Sequence, residues 1–380
     1  MGDEQALFED APPMGVERRL GLVRPNNRNI ARRALLAVAI GWAPLFLFAL
    51  AESAITHADE ITPMLREIGL HARYLVAAPL LILAETVCAP RLNAIARQFV
   101  AGGIVRENDV GRLDEALAST RRFLDSTTAE IVVVALAYLF VGAAIISHPS
   151  EQLPVWAKGS LAPRYSLAGW WHLLVSVPLL LVLIFGWLWR LALWARLLGL
   201  ISRFDLRLVA SHPDHCAGLS FLGHSLRAFA IVALALAAIV AGRSARFILA
   251  GEELYFNVGA LLSIMLLFVA PLFVFSPMLL SAWRQGTFDY GALAGRVGGA
   301  FERKWLAGQI DERAVLNQPD FSATTDLYSV ASNVYSIRFL PLELKDLLVL
   351  VAAMLAPFAP VILLAFPMDV IWKRVIGLFF

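Results

Sequence analysis

Apolar residues in this chain come in long blocks, with little of the strict alternation that marks a half-buried strand. A helix rises about 1.5 Å per residue and needs about 20 apolar residues to cross the ~30 Å hydrocarbon layer of a bilayer. Seven blocks fit that description, near Ala34–Leu50, Tyr74–Ala89, Ile131–Ile146, Leu167–Trp189, Ala228–Phe247, Val258–Trp283 and Leu347–Phe366. Two polar stretches between them, 91–130 and 284–346, are long enough to hold structure of their own. In the first, Ala101, Gly102 and Gly103 break the helical pattern and Asp109 can cap a second helix. The second begins with a helix predicted over Tyr290–Leu306, weakened by Gly291, Gly295, Gly298 and Gly299. A polar loop at Asn317–Asp320 and a short helix ending before Pro341 complete it. The pattern divides the chain into an N-terminal segment (1–33), a membrane bundle (34–283), a helical segment (284–346) and a last span with an amphipathic tail (347–380). That tail, from Met368 to Phe380, has the pattern of an interfacial helix.

Composition agrees with this reading. Hydrophobic residues make up 59% of the chain and charged residues 16%, against about 45–50% and about 25% in soluble domains. The prediction is an all-α integral membrane protein with about seven transmembrane helices, which excludes a soluble enzyme and a secreted disulfide scaffold. A net charge of +2 gives no reason to expect nucleic acid, and two cysteines cannot build a disulfide framework. The segment before the first span mixes acids with arginines and is too long for a signal-peptide n-region, so that span reads as a retained anchor.

Lys and Arg set the expected orientation, because cytoplasmic loops retain positive charge. With the N-terminus cytoplasmic and the C-terminus periplasmic, 24 basic residues fall inside and 8 outside. The fifth span is the weakest, since Arg243 and Arg246 interrupt it; were it not to cross, the split would fall to 21 against 11. Tryptophans agree, with Trp156, Trp170 and Trp171 at one end of the fourth span and Trp187, Trp189 and Trp194 at the other. That span continues without a strong breaker toward Phe204.

Two stretches resemble a group of uncharacterised bacterial polytopic inner-membrane proteins. One runs Ser211, His212, Pro213, Asp214, His215, Cys216, Ala217, Gly218, Leu219, Ser220, Phe221, Leu222, Gly223. The other runs Asp289, Tyr290, Gly291, Ala292, Leu293, Ala294 and leads to Phe301, Glu302, Arg303, Lys304, Trp305, Leu306. The resemblance implies a multi-pass protein of the bacterial inner membrane and carries no activity. In that pattern a basic residue and a glycine are usual where His215 and Ala217 stand here.

Chemistry-bearing residues are few. Prolines stand inside five of the seven spans, and each frees a backbone carbonyl one turn earlier, which a neighbouring helix or a wet cavity must satisfy. Pro271, Pro277, Pro357 and Pro360 are the candidate hinges. Glu85 is the one carboxylate well inside a span; it either pairs with a base such as Arg190 or Arg227 or lines an ion pathway. Arg243 and Arg246 share a face of the alanine-rich fifth span, where they snorkel, pair with an acid such as Glu52, Glu252 or Glu253, or attract anions. The loop with His212, His215 and Cys216 is metal-capable but lacks a zinc spacing, and an Asp214-capped turn explains it better. His57, His71, His148 and His172 lie near the opposite ends of the spans and are weak metal or haem candidates.

HExxH, GxSxG and P-loop motifs are absent, so no enzymatic activity and no cofactor is expected. The functional expectation is a homo-oligomeric permeation protein, an ion channel or channel-like transporter whose partners are the lipid bilayer and an ion or small solute. A seven-span sensor or scaffold binding a cytoplasmic partner is the alternative.

Overall fold

The computed structural model describes residues 12, 15, 29–57, 59–147, 154–158, 165–249, 257–306 and 319–365. Among these there is no β-strand, only an isolated bridge between Val105 and Leu206. Six helices are long and apolar enough to cross a membrane: α1 (Ile30–Thr56), α2 (Ile68–Ala101), α4 (Thr127–Ser147), α5 (Leu167–Ile201), α6 (Ser220–Ile248) and α7 (Val258–Trp305). Between α2 and α4 lies α3 (Val110–Leu124), and α8 (Asp320–Tyr335) follows α7. A seventh crossing is possible only as a bent pair, α9 (Leu344–Leu355) and α10 (Phe358–Ala365), which meet at 45° beside Pro357. The all-helical class read from the pattern is thus observed, with six or seven helices of spanning length and composition among the described residues; the tail from Met368 lies outside them.

α6 is the hub. Its most apolar stretch is 67% buried against protein, compared with 22–50% in the other spans. The cause is its alanines: Ala228, Ala233, Ala235 and Ala237 have essentially no exposure, and small side chains let α2, α9 and α10 approach closely. Gly242 continues that seam, since a Cβ there would lie 2.5 Å from Ala72 Cβ and 3.2 Å from Gly69 Cα. The span most weakened by charge in the sequence is therefore the one most enclosed by protein.

Two spans carry π-helical turns, Ala72–Ala77 in α2 and His172–Ser176 in α5. Each is followed two residues later by a proline, Pro79 and Pro178. A proline has no N–H for the carbonyl four residues back, and wider i→i+5 turns take up the mismatch. Neighbouring helices satisfy two of the freed carbonyls. Trp171 Nε1 donates to Ile40 O at 3.0 Å, four residues before Pro44, and the Tyr138 hydroxyl donates to Leu174 O at 3.2 Å, four before Pro178. In α7, Pro271 opens a 3₁₀ segment, Ala270–Phe275, and Pro277 stands in the first turn after it.

Two sequence expectations need correction. Asp109 precedes α3, but its carboxylate takes the Arg112 guanidinium at 2.7 Å and makes no side-chain cap. The helix expected separately over Tyr290–Leu306 is continuous with the sixth span, because the glycines there serve packing. Gly286, Gly291 and Gly298 face Val334, Tyr335 and Tyr328 of α8, so α7 and α8 form a hairpin.

Candidate functional site

Glu85 lies three residues before Cys88 on α2, where α1 and α5 both pass. Arg33, at the start of α1, donates Nη1 to Glu85 Oε2 at 2.7 Å; Arg190, late in α5, donates Nη2 to Oε1 at 2.9 Å. All three side chains are at most 2% exposed. Arg190 also donates Nη1 to Pro12 O at 3.0 Å and lies over the Trp187 ring at 4.8 Å. Gly186 makes room for that contact, since a Cβ there would stand 2.5 Å from Pro12 O. Buried charges survive only when paired, and the Glu85 carboxylate serves both guanidiniums, one oxygen each. Of the two bases named for Glu85 from the sequence, the fold supplies Arg190. Arg227 pairs with Asp346 instead.

The ends of α2, α5 and α6 remote from Glu85 build a second charged region. One cavity there, about 190 Å³, is lined by Glu67, Arg73, Trp156, His172 and Arg246; another, about 250 Å³, by Arg73, Arg243, Ser244 and Asn257. Arg73 lines both, so Arg73, Arg243 and Arg246 serve one region with Glu67 as the lining acid. Arg246 Nη1 stands 3.9 Å from Glu67 Oε1, a loose pairing with an acid the sequence reading had not named. Glu252 and Glu253 lie outside the described residues.

Histidines beside this region are engaged by aromatic neighbours. Trp42 Nε1 donates to His71 Nδ1 at 2.9 Å, which leaves Nε2–H to donate to Leu65 O at 2.9 Å. The Tyr74 hydroxyl lies 3.3 Å from His172 Nδ1, and the Trp156 ring stands edge-on to the same imidazole at 5.4 Å. Both Tyr74 and His172 sit on the π-helical turns.

The loop from Ser211 to Gly223 is a folded turn. The Asp214 carboxylate accepts the amides of Cys216 (2.8 Å), Gly218 (3.1 Å) and Ser220 (3.0 Å) and lies 2.8 Å from His212 Nδ1. Burial alone would raise the Asp214 pKa, but these donors outweigh it and hold the carboxyl below its ordinary range. Burial pushes the Cys216 thiol up to about 11. Arg338 fastens the loop to the segment before α9, donating its amide to His215 O and Nη2 to Asp214 O, both at 2.7 Å. Among the described residues no group of three or more His, Cys, Asp or Glu side chains is arranged to hold a metal; His212, His215 and Cys216 do not converge. Ala217 has φ 52° and His215 φ 53°, both in the left-handed region, which gives the glycine usual at position 217 in the resembling pattern a backbone reason.

Sequence reasoning missed Asp346. It is fully buried at the start of α9, accepts Arg227, and closes a capping box with Glu343. Glu343 and Asp346, three apart before an apolar run, were a legible cap signal. Gly223 is required beside it, since a Cβ there would collide with the Asp346 carboxylate and reach 3.0 Å from Leu342 Cα.

No protein-family model, curated protein or solved structure matches the chain.

Proposed function

We propose that this chain is a homo-oligomeric permeation protein of a bacterial inner membrane, a channel or channel-like transporter, with its N-terminus cytoplasmic and its C-terminus periplasmic. The observation that carries the reading is a pair of cavities that share Arg73 in their lining, one with Arg246 and Glu67 and the other with Arg243. A concave region with an excess of arginine raises the local concentration of anions, so the cargo is a small anion. Arg73 and Glu85 both stand on α2, twelve residues or about 18 Å apart. In this reading the Arg33–Glu85–Arg190 cluster closes the far end of the pathway. The prolines beside the π-helical turns and at the α9–α10 bend supply the irregular helices that transport sites use.

Flux through liposomes holding only the purified protein tests the proposal. Halide or phosphate efflux should appear with wild type and fall at least tenfold in Arg73→Gln/Arg243→Gln. Wild-type liposomes as tight as protein-free ones, or variant flux equal to wild type, would overturn it. Orientation is tested with Lys158→Cys and Ser322→Cys, both at exposed positions. An impermeant maleimide should label only the first in intact cells. Cys216 is a poor reporter, because its thiol is buried.

The α7–α8 hairpin favours the second reading, a scaffold. α7 runs 48 residues, well beyond one bilayer thickness, and the hairpin exposes Phe288, Phe321 and Tyr335. One stoichiometric protein partner retained by wild type and lost on Phe288→Ser/Phe321→Ser, without flux, would support it.

A further inference from the structure

A separate cavity of about 570 Å³ opens between α2 and α6 at the Glu85 end of the bundle. Its polar lining is Arg91, Gln98, His224 and Arg227; Ile95 and Phe221 add apolar surface, and among the described residues no carboxylate lines it. Asp346 holds Arg227, and Glu343 is paired with Lys345. The two arginines are also positioned. Arg91 donates Nη1 to Arg227 O at 3.0 Å, and the buried Asp346 carboxylate pairs with the Arg227 guanidinium. Two held guanidiniums and an imidazole around a space of this size suit a phosphate group.

The apolar lining decides between a free phosphate and a lipid headgroup. Arg91 stands two residues past the end of the second apolar block at Ala89, and Arg227 one residue before the fifth begins at Ala228. The cavity therefore straddles the level at which both helices pass from hydrocarbon to water. An inorganic phosphate would use the cations and leave Ile95 and Phe221 uncovered, whereas an anionic phospholipid would use both. Basic pockets between transmembrane helices at this depth bind such headgroups. We infer that this cavity is a binding site for an anionic phospholipid, with Arg91, His224 and Arg227 around the phosphodiester and Ile95 and Phe221 against the upper acyl chain.

Thermal unfolding of the full chain in neutral detergent reads this directly. Added phosphatidylglycerol should raise the melting temperature by several degrees, while phosphatidylcholine should leave it unchanged. That shift should at least halve in Arg91→Gln/His224→Gln, which keeps Arg227 for Asp346, and in Gln98→Trp, which fills the cavity without removing charge. An undiminished shift in both variants, or an equal shift with phosphatidylcholine, would overturn the site. The same shift with inorganic phosphate alone would overturn the lipid and assign the cavity to a soluble phosphate ester.

Discussion

Single side chains in this protein are held by specific partners, and Asp214 gives the clearest case. Its carboxyl is depressed below the unfolded value by three backbone amides and His212. A group whose folded pKa lies below its unfolded one contributes stability above the unfolded pKa, about 3.9 for Asp, and that contribution is lost as pH falls through the folded value. The melting temperature should therefore drop on acidification below about pH 4, and Asp214→Asn, which cannot ionise, should lower it at neutral pH and flatten the acid limb. An acid limb equally steep in the variant would show that other carboxylates carry it. The capped turn at Asp214 is legible in the sequence, because a capping Asp after a rigid Pro213, with Gly218 and Gly223 beyond it, is a local pattern. Arg338, 124 residues away, was invisible to it.

At the scale of elements, proline sets where helices deform and the neighbours decide what that costs. Leu174 O, freed by Pro178, is taken by the Tyr138 hydroxyl from α4. Tyr138→Phe should cost about 0.6–1.7 kcal/mol, from the average to the maximum found for interhelical hydrogen bonds in lipid. In a Pro178→Ala background, where the helix recovers its own donor, the same change should cost less; a double-mutant cycle on melting in detergent checks this. Equal costs in both backgrounds would mean that the hydroxyl bond is independent of the proline. The α2–α6 seam gives a steeper effect. Gly242→Leu drives a side chain into Ala72 and Gly69, and overpacking of this kind costs about 1–3 kcal/mol. Gly259→Leu is the control, since Gly259 has nothing nearer than Asn257 Oδ1 at 3.7 Å. The prolines and alanines were legible in the sequence, but their partners on other helices were not.

For the whole molecule, the Arg33–Glu85–Arg190 cluster ties three spans together. Glu85→Gln removes the carboxylate that two buried guanidiniums share and should lower stability by about 3–5 kcal/mol. Adding Arg33→Gln should recover part of that loss, because one of the two buried cations that shared Glu85 is gone. A Glu85→Gln protein that melts like wild type would mean water reaches the cluster and the pair is a surface one. The sequence by itself determined the helical class and the approximate span positions, because these follow from local sums. Twenty apolar residues must be covered by lipid or protein wherever they stand, and an alanine-rich helix packs closely against whatever surrounds it. It also singled out Glu85, since a carboxylate in an apolar run is costly in any fold. Only tertiary structure decided which base answers it, gave Arg227 to Asp346, and joined Arg73 to Arg243 and Arg246. These choices depend on which helices are neighbours and at what height, and hydropathy is blind to both. Helix length was misjudged at α7 for the same reason, because its glycines read as weak points until α8 filled the space beside them.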